Sequence, residues 1–171
     1  MYGLGMNPSR TRLTILFTRI VPLLVILGSI WRVPAADADD PILGTWKLNL
    51  AKSKYIPGPA PRSQTRTYRW KDGEILVTIQ TVDAHGQRQP AIEFQERYDG
   101  KEYPVKGSAL GDMLALRRIN NYLAEATVLH SGIVVAVTRR IITDNGRTLM
   151  LIYQETSAEH PVDNVIVYDR Q

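Results

Sequence analysis

The chain of 171 residues contains no cysteine. That absence excludes disulfides, a thiolate nucleophile, cysteine-based metal sites and a lipid-modified cysteine, so the fold must be held by packing alone. A domain of ordinary size is permitted this even in an oxidising compartment, because covalent staples are chiefly a need of much smaller secreted domains. Export without disulfides leans bacterial rather than eukaryotic. Histidine is nearly as scarce: His85, His130 and His160 fall in or beside separate turns, with no second nitrogen or carboxylate at ligand spacing, which predicts no metal site. No serine occupies a Gly-x-Ser-x-Gly elbow, and no glycine-rich loop leads into a helix to cradle phosphate. Acyl transfer and nucleotide chemistry therefore lack their residues, and the sequence predicts no catalytic residue, no enzyme and no cofactor.

The chain also lacks an unbroken apolar run of the roughly 20 residues that a membrane-spanning helix needs. The longest candidate, Ile20 to Trp31, is interrupted by Pro22, Gly28 and Ser29. Arg10, Arg12 and Arg19 precede it and Ala36-Asp37-Ala38 follows, an order of charged, apolar and small residues that reads as a cleavable signal peptide over residues 1–38. Cleavage after Ala35 or Ala36, and a true start at Met6, fit the same pattern. The expected product is a domain over residues 39–171 with no membrane span, in the periplasm or outside the cell. Its length suits a single core.

A surplus of one charge is absent as well. The whole chain carries +4, but the leader holds Arg10, Arg12, Arg19 and Arg32 against Asp37, and what remains is nearly balanced. No electrostatic case exists for nucleic acid or an anionic membrane as partner.

What the rest of the chain has in abundance is alternation. Ile75, Val77 and Ile79 share one parity, as do Ile92 and Phe94, and Val135, Val137 and Ile141; such period-two patterns describe strands with one buried face. The pairs and triplets Lys71-Asp72-Gly73, Asp99-Gly100-Lys101, Asn120-Asn121, Ser131-Gly132 and Asn145-Gly146 supply residues that tolerate positive φ in hairpin turns. The expected strands lie near 43–50, 64–70, 74–82, 90–98, 102–106, 113–119, 122–130, 133–143, 147–156 and 163–170. Consecutive strands with tight hairpins predict an all-β, antiparallel up-and-down meander of about 8–10 strands. Such a meander avoids exposed edges by curling into a closed or nearly closed barrel. Ala51 to Ser63, with Pro57, Pro59 and Pro61, is the one long connection, either a lid across a barrel mouth or a surface excursion.

Gly44-Thr45-Trp46 resembles the Gly-x-Trp signature that opens the lipocalin and fatty-acid-binding barrels. That resemblance implies that Gly44 and Trp46 close the barrel bottom, with Arg170 from the chain's end packing over the indole as a cation–π pair. A wider likeness connects the chain to uncharacterised exported bacterial lipocalin-like proteins. It runs through Gly44 to Asn49, Ala51 to Tyr55, Pro57 to Pro61, Tyr98 to Lys101, Tyr103 to Val105 and Asn164 to Tyr168. The fatty-acid-binding proteins hold a carboxylate through Arg-x-Tyr in their last strand, whereas this chain has Tyr168-x-Arg170, a reversed order that speaks against simple fatty-acid carriage.

Charge on a parity that reads as buried marks the candidate site. Glu96 shares a face with Ile92, Phe94 and Tyr98, and Arg139 with Val135, Val137 and Ile141. One of Arg117 and Arg118 must point inward if their strand is regular, and Glu125 sits with Leu123 and Leu129. Buried charges need partners, so these residues form an internal ion-pair network, or turn outward at a bulge, or make the polar end of a ligand cavity in which an arginine receives an anion. The ligand reading names Tyr68, Phe94, Glu96, Arg139 and Tyr153. Tyr68, Trp70, Phe94 and Tyr153, if all inward, favour a filled interior instead. Two functions stay open at this point: a binding protein for a small, mostly apolar ligand, and a filled barrel that works through its outer surface.

Overall fold

The structure, a computed structural model, describes residues 39–156 and 163–171. The expected leader with its cleavage site, and His160, lie outside the described residues. Ten strands follow one another: β1 Gly44–Leu48, β2 Ser63–Lys71, β3 Glu74–Val82, β4 Ile92–Glu96, β5 Asp99–Lys106, β6 Met113–Asn120, β7 Leu123–His130, β8 Ile133–Thr143, β9 Thr148–Glu155 and β10 Asp163–Arg170. Each pairs antiparallel with its chain neighbours, and β1 pairs with β10 to close the barrel. Closure satisfies every strand from both sides and leaves no long free edge. The β4–β5 seam is the thinnest, reduced to the pairs Glu93–Lys106 and Phe94–Val105.

The turns form where residues can enter the left-handed region. Asp72, Ser131 and Asn145 have φ of 51°, 52° and 52°, each followed by a glycine with positive φ. Asn120-Asn121 works differently, since neither residue has positive φ. The Asn120 side chain accepts from the Tyr122 backbone N–H at 2.8 Å and imitates a backbone turn.

Ala51 to Ser63 does not cross the mouth as a free lid at its first half. After a single 3-10 turn at Leu50–Lys52 the chain rejoins β10: the Lys54 and Val165 backbones exchange hydrogen bonds of 2.7 and 2.9 Å, and Asp163 N–H donates to Ile56 C=O. This stretch continues the edge that β1 leaves off. Its Tyr55 lies close enough to Tyr168 and Arg66 for their charges to bear on its hydroxyl, which burial pushes up.

The barrel bottom is packed solid. Trp46, Tyr168, Ile42, Ile75, Leu116, Leu149 and Val77 are completely or almost completely buried. The Trp46 indole N–H donates to Ile42 C=O at 2.7 Å, and the Arg170 guanidinium stacks 4.2 Å from the ring centre. Arg170 also donates to the carbonyls of Leu43 and Gly146 at 2.6 Å each and to that of Pro41. Gly44 has φ of 124°, and a Cβ there would stand 2.8 Å from Arg170 Nη1, so only glycine fits. Gly44, Trp46 and Arg170 thus meet in one plug.

The phase of β8 is the reverse of the expected one. Ala136, Arg140 and Ile142 are buried inward, whereas Arg139 points outward with 62% of its side chain exposed. A register shift between Val128 and Leu129 of β7 leaves Val135 as the extra residue, but the main cause is the outer wall itself. Leu123, Ile141, Met150 and Val167 stand side by side across β7 to β10 on the outside, where cross-strand packing favours apolar neighbours. The inner row of β8, with Ala136 and Thr138, is the less apolar one. Glu125 is corrected with Arg139: it too lies on the outer wall, accepting from Arg117 at 3.0 Å and Arg139 at 3.1 Å. Of the Arg117–Arg118 pair, Arg118 is the inward one.

Those two outer hydrogen bonds, Arg117's first, hold the Glu125 carboxyl below its usual range. A depressed folded-state value means that the interaction stabilises the protein above the unfolded carboxylate range and is lost as pH falls through the folded one. Carboxyl NMR should therefore show Glu125 titrating below an ordinary glutamate, and Arg117→Ala should move its midpoint upward. An unchanged midpoint in that variant would remove the pairing.

Candidate functional site: the barrel interior and its polar floor

Above the packed bottom the barrel is hollow. A cavity of about 260 Å³ runs from Tyr68, Glu96 and Arg140 to Ser108 and Leu110 in the β5–β6 loop. Its walls are apolar, with Ile79, Phe94, Leu114, Val128, Leu151 and Ile166 facing inward from six strands. Tyr153 lines it as well, its hydroxyl pushed up to about 12 by burial and by Glu155. A larger depression of about 350 Å³, with Arg69, Glu93, Gln95 and Lys106 on its border, opens at the β4–β5 seam. It is walled largely by outward-facing side chains, whereas the interior cavity combines apolar enclosure with converging polar groups, the usual make-up of a ligand site.

The floor is a ladder of arginines and tyrosines. Arg140 donates to Glu96 and to the Tyr98 hydroxyl, both at 2.5 Å. Its guanidinium stands 5.6 Å from the Tyr68 ring centre and 5.5 Å from that of Tyr98. Arg118 approaches Tyr98 at 3.9 Å and pairs with Asp40, whose other oxygen accepts from Ile42 N–H at 3.0 Å. Burial works against the charge on Arg140, but Glu96 and the tyrosine oxygens outweigh it and push its pKa up. Burial also pushes the hydroxyls of Tyr68, Tyr98 and Tyr168 upward, so all three stay neutral at physiological pH.

Arg66 adjoins this ladder from β2: burial works against its charge, but Tyr68, Tyr168 and Glu96 outweigh it and push its pKa up. It lines the cavity beside Tyr168, 5.7 Å from the ring centre, and its Nε is the buried side-chain polar atom without a hydrogen-bond partner among the described residues. Tyr168 donates to Gln64, and Gln64 donates in turn to Thr81 at 2.8 Å.

Of the residues that the sequence singles out for a ligand, Tyr68 and Glu96 lie in the floor and Phe94 and Tyr153 in the wall. Arg139 is outside, and Arg140 takes the position expected of it. Trp70 packs against the core. Sequence reasoning missed Arg66, Arg140 and the Asp40–Arg118 pair. Arg66 could have been found, since it shares parity with Tyr68 and Trp70; Asp40 precedes the first strand and carried no signal. Among the described residues no three His, Asp or Glu side chains converge as metal donors. No family model matches this chain, and no curated protein matches it.

Proposed function

We propose that the chain is an exported binding protein that carries a small, mostly apolar molecule inside its barrel. The observation behind this reading is the cavity of about 260 Å³, apolar in its walls and polar at its floor. Binding sites for small molecules run from roughly 300 Å³ upward, so the occupant is small. By liquid volume the space equals about nine waters. The lipocalin-like resemblance at Gly44-Thr45-Trp46 and the leader-like N-terminus belong to the same reading, in which the protein works in the periplasm or beyond. No reaction is assigned: among the described residues Glu96 is the one carboxylate on the cavity wall, and it is committed to Arg140.

The filled-barrel alternative draws on the lower half, where Trp46, Tyr68, Tyr98 and Tyr168 are all buried. One experiment separates the two. Native mass spectrometry of the chain recovered from its own cell envelope should show a polypeptide that begins between Ala36 and Asp39 and retains an organic molecule of low mass. An apo species alone would favour the filled barrel, and a precursor that keeps Ile20 to Trp31 in the membrane fraction would sink export by cleavage.

A further inference from the structure

Among the described residues, three arginines border the cavity or its floor, and two carboxylates answer them. Arg118 has Asp40 and Arg140 has Glu96; Arg66 has no ion pair among the described residues. Its guanidinium cannot shed its proton, and a buried charge without a counter-charge is costly. The Nε without a partner adds to this, since nine in ten or more buried polar atoms in folded proteins are hydrogen-bonded. Glu96 favours the charge on Arg66 only from beyond ion-pair distance. Glu96 is held by Arg140 at 2.5 Å, the Tyr168 hydroxyl donates to Gln64, and burial keeps Tyr68 and Tyr168 neutral. Arg66 keeps part of its surface accessible even so, and it borders the cavity.

We infer that the cavity takes a monoanionic amphiphile whose head group, a carboxylate, accepts from Arg66 Nε while its chain lies along the apolar walls toward Leu110. One negative charge balances the three arginines against the two carboxylates, whereas a dianion would leave a surplus. Water would meet the hydrogen-bond need of Nε without meeting its charge. A methylene and a water occupy similar liquid volumes, so the space suits a chain of about eight carbons. The objection from the last strand does not reach this site: Arg170 is spent on Trp46 at the opposite end, and Arg66 enters from β2.

The inference rests on the small-ligand reading, and the test keeps the two apart. Octanoate and 1-octanol are titrated calorimetrically into the full chain, into Arg66→Met and into Arg66→Gln, with thermal melting to establish that each variant is folded. Octanoate should bind the unsubstituted protein at least about tenfold more tightly than octanol, the factor expected of a charge-assisted hydrogen bond. Either folded variant should lose that preference while octanol binding stays the same or improves. Equal affinity of the two probes for the unsubstituted protein, or octanol binding without octanoate, would overturn the anionic head and leave the apolar carrier standing. A preference that survives in a folded variant would overturn Arg66 as its source. Binding of neither probe would overturn the carrier reading itself.

Discussion

Trp46→Ala is expected to cost about 3 to 5 kcal/mol of stability, the range for emptying a large aromatic site in a packed core. Trp46 is completely buried, and two further contacts depend on it. Its indole donates to Ile42 C=O and so anchors the segment ahead of β1. Its face receives Arg170, whose fan of hydrogen bonds joins β10 to the carbonyls of Pro41, Leu43 and Gly146. Without the ring Arg170 keeps its carbonyls but loses the surface it lies on, and the β1–β10 closure loosens at the same point. Urea denaturation of the purified domain measures the loss. A change within about 0.5 kcal/mol, the scale of ordinary surface substitutions, would mean that the plug does not hold the barrel shut.

Glu96→Leu should be comparably severe, for an electrostatic reason. Glu96 and Arg140 are both buried, 2.5 Å apart, and removing one member of such a pair strands the other, at a cost of about 3 to 5 kcal/mol. Replacing both is a different matter. Glu96→Leu combined with Arg140→Met removes the stranded charge together with its partner and is expected to recover most of the loss, as apolar replacements of buried pairs often do. The cycle of single and double variants by denaturation reads the coupling directly. If Glu96→Leu alone were neutral, the pair would have to be wetted, and the floor of the cavity would not be the closed polar layer described above.

The contrast with the outer wall is instructive. Arg117, Glu125 and Arg139 make ion pairs at 3.0 and 3.1 Å, longer than the 2.5 Å of Glu96 and Arg140, and they are exposed to solvent that screens them. Exposure, which the sequence does not record, separates a pair that holds the fold from one that decorates it.

Strand order and most turns were readable from the chain alone because they depend on local chemistry: Ile75, Val77 and Ile79 alternate, and Asp72-Gly73 tolerates the turn beside them, whereas Asp99-Gly100-Lys101, expected as a turn, lies inside β5 at a bulge. Closure followed from connectivity, since a meander of consecutive hairpins has only its first and last strands to join. Alternation tells which residues share a face; it does not say which face is inside. In β3 the choice was clear, because Ile75, Val77 and Ile79 are the buried row. In β8 it was not, because Val137 and Ile141 occupy an apolar outer wall while Ala136 and Thr138 stay small beside the cavity. The tertiary structure alone decided that Arg140 and not Arg139 enters the barrel, that Asp40 reaches Arg118 across 78 residues of sequence, and that Arg66 is left facing the hollow with an unused donor. Each of these is a matter of partners brought together by closure, and a buried charge is defined by its partners.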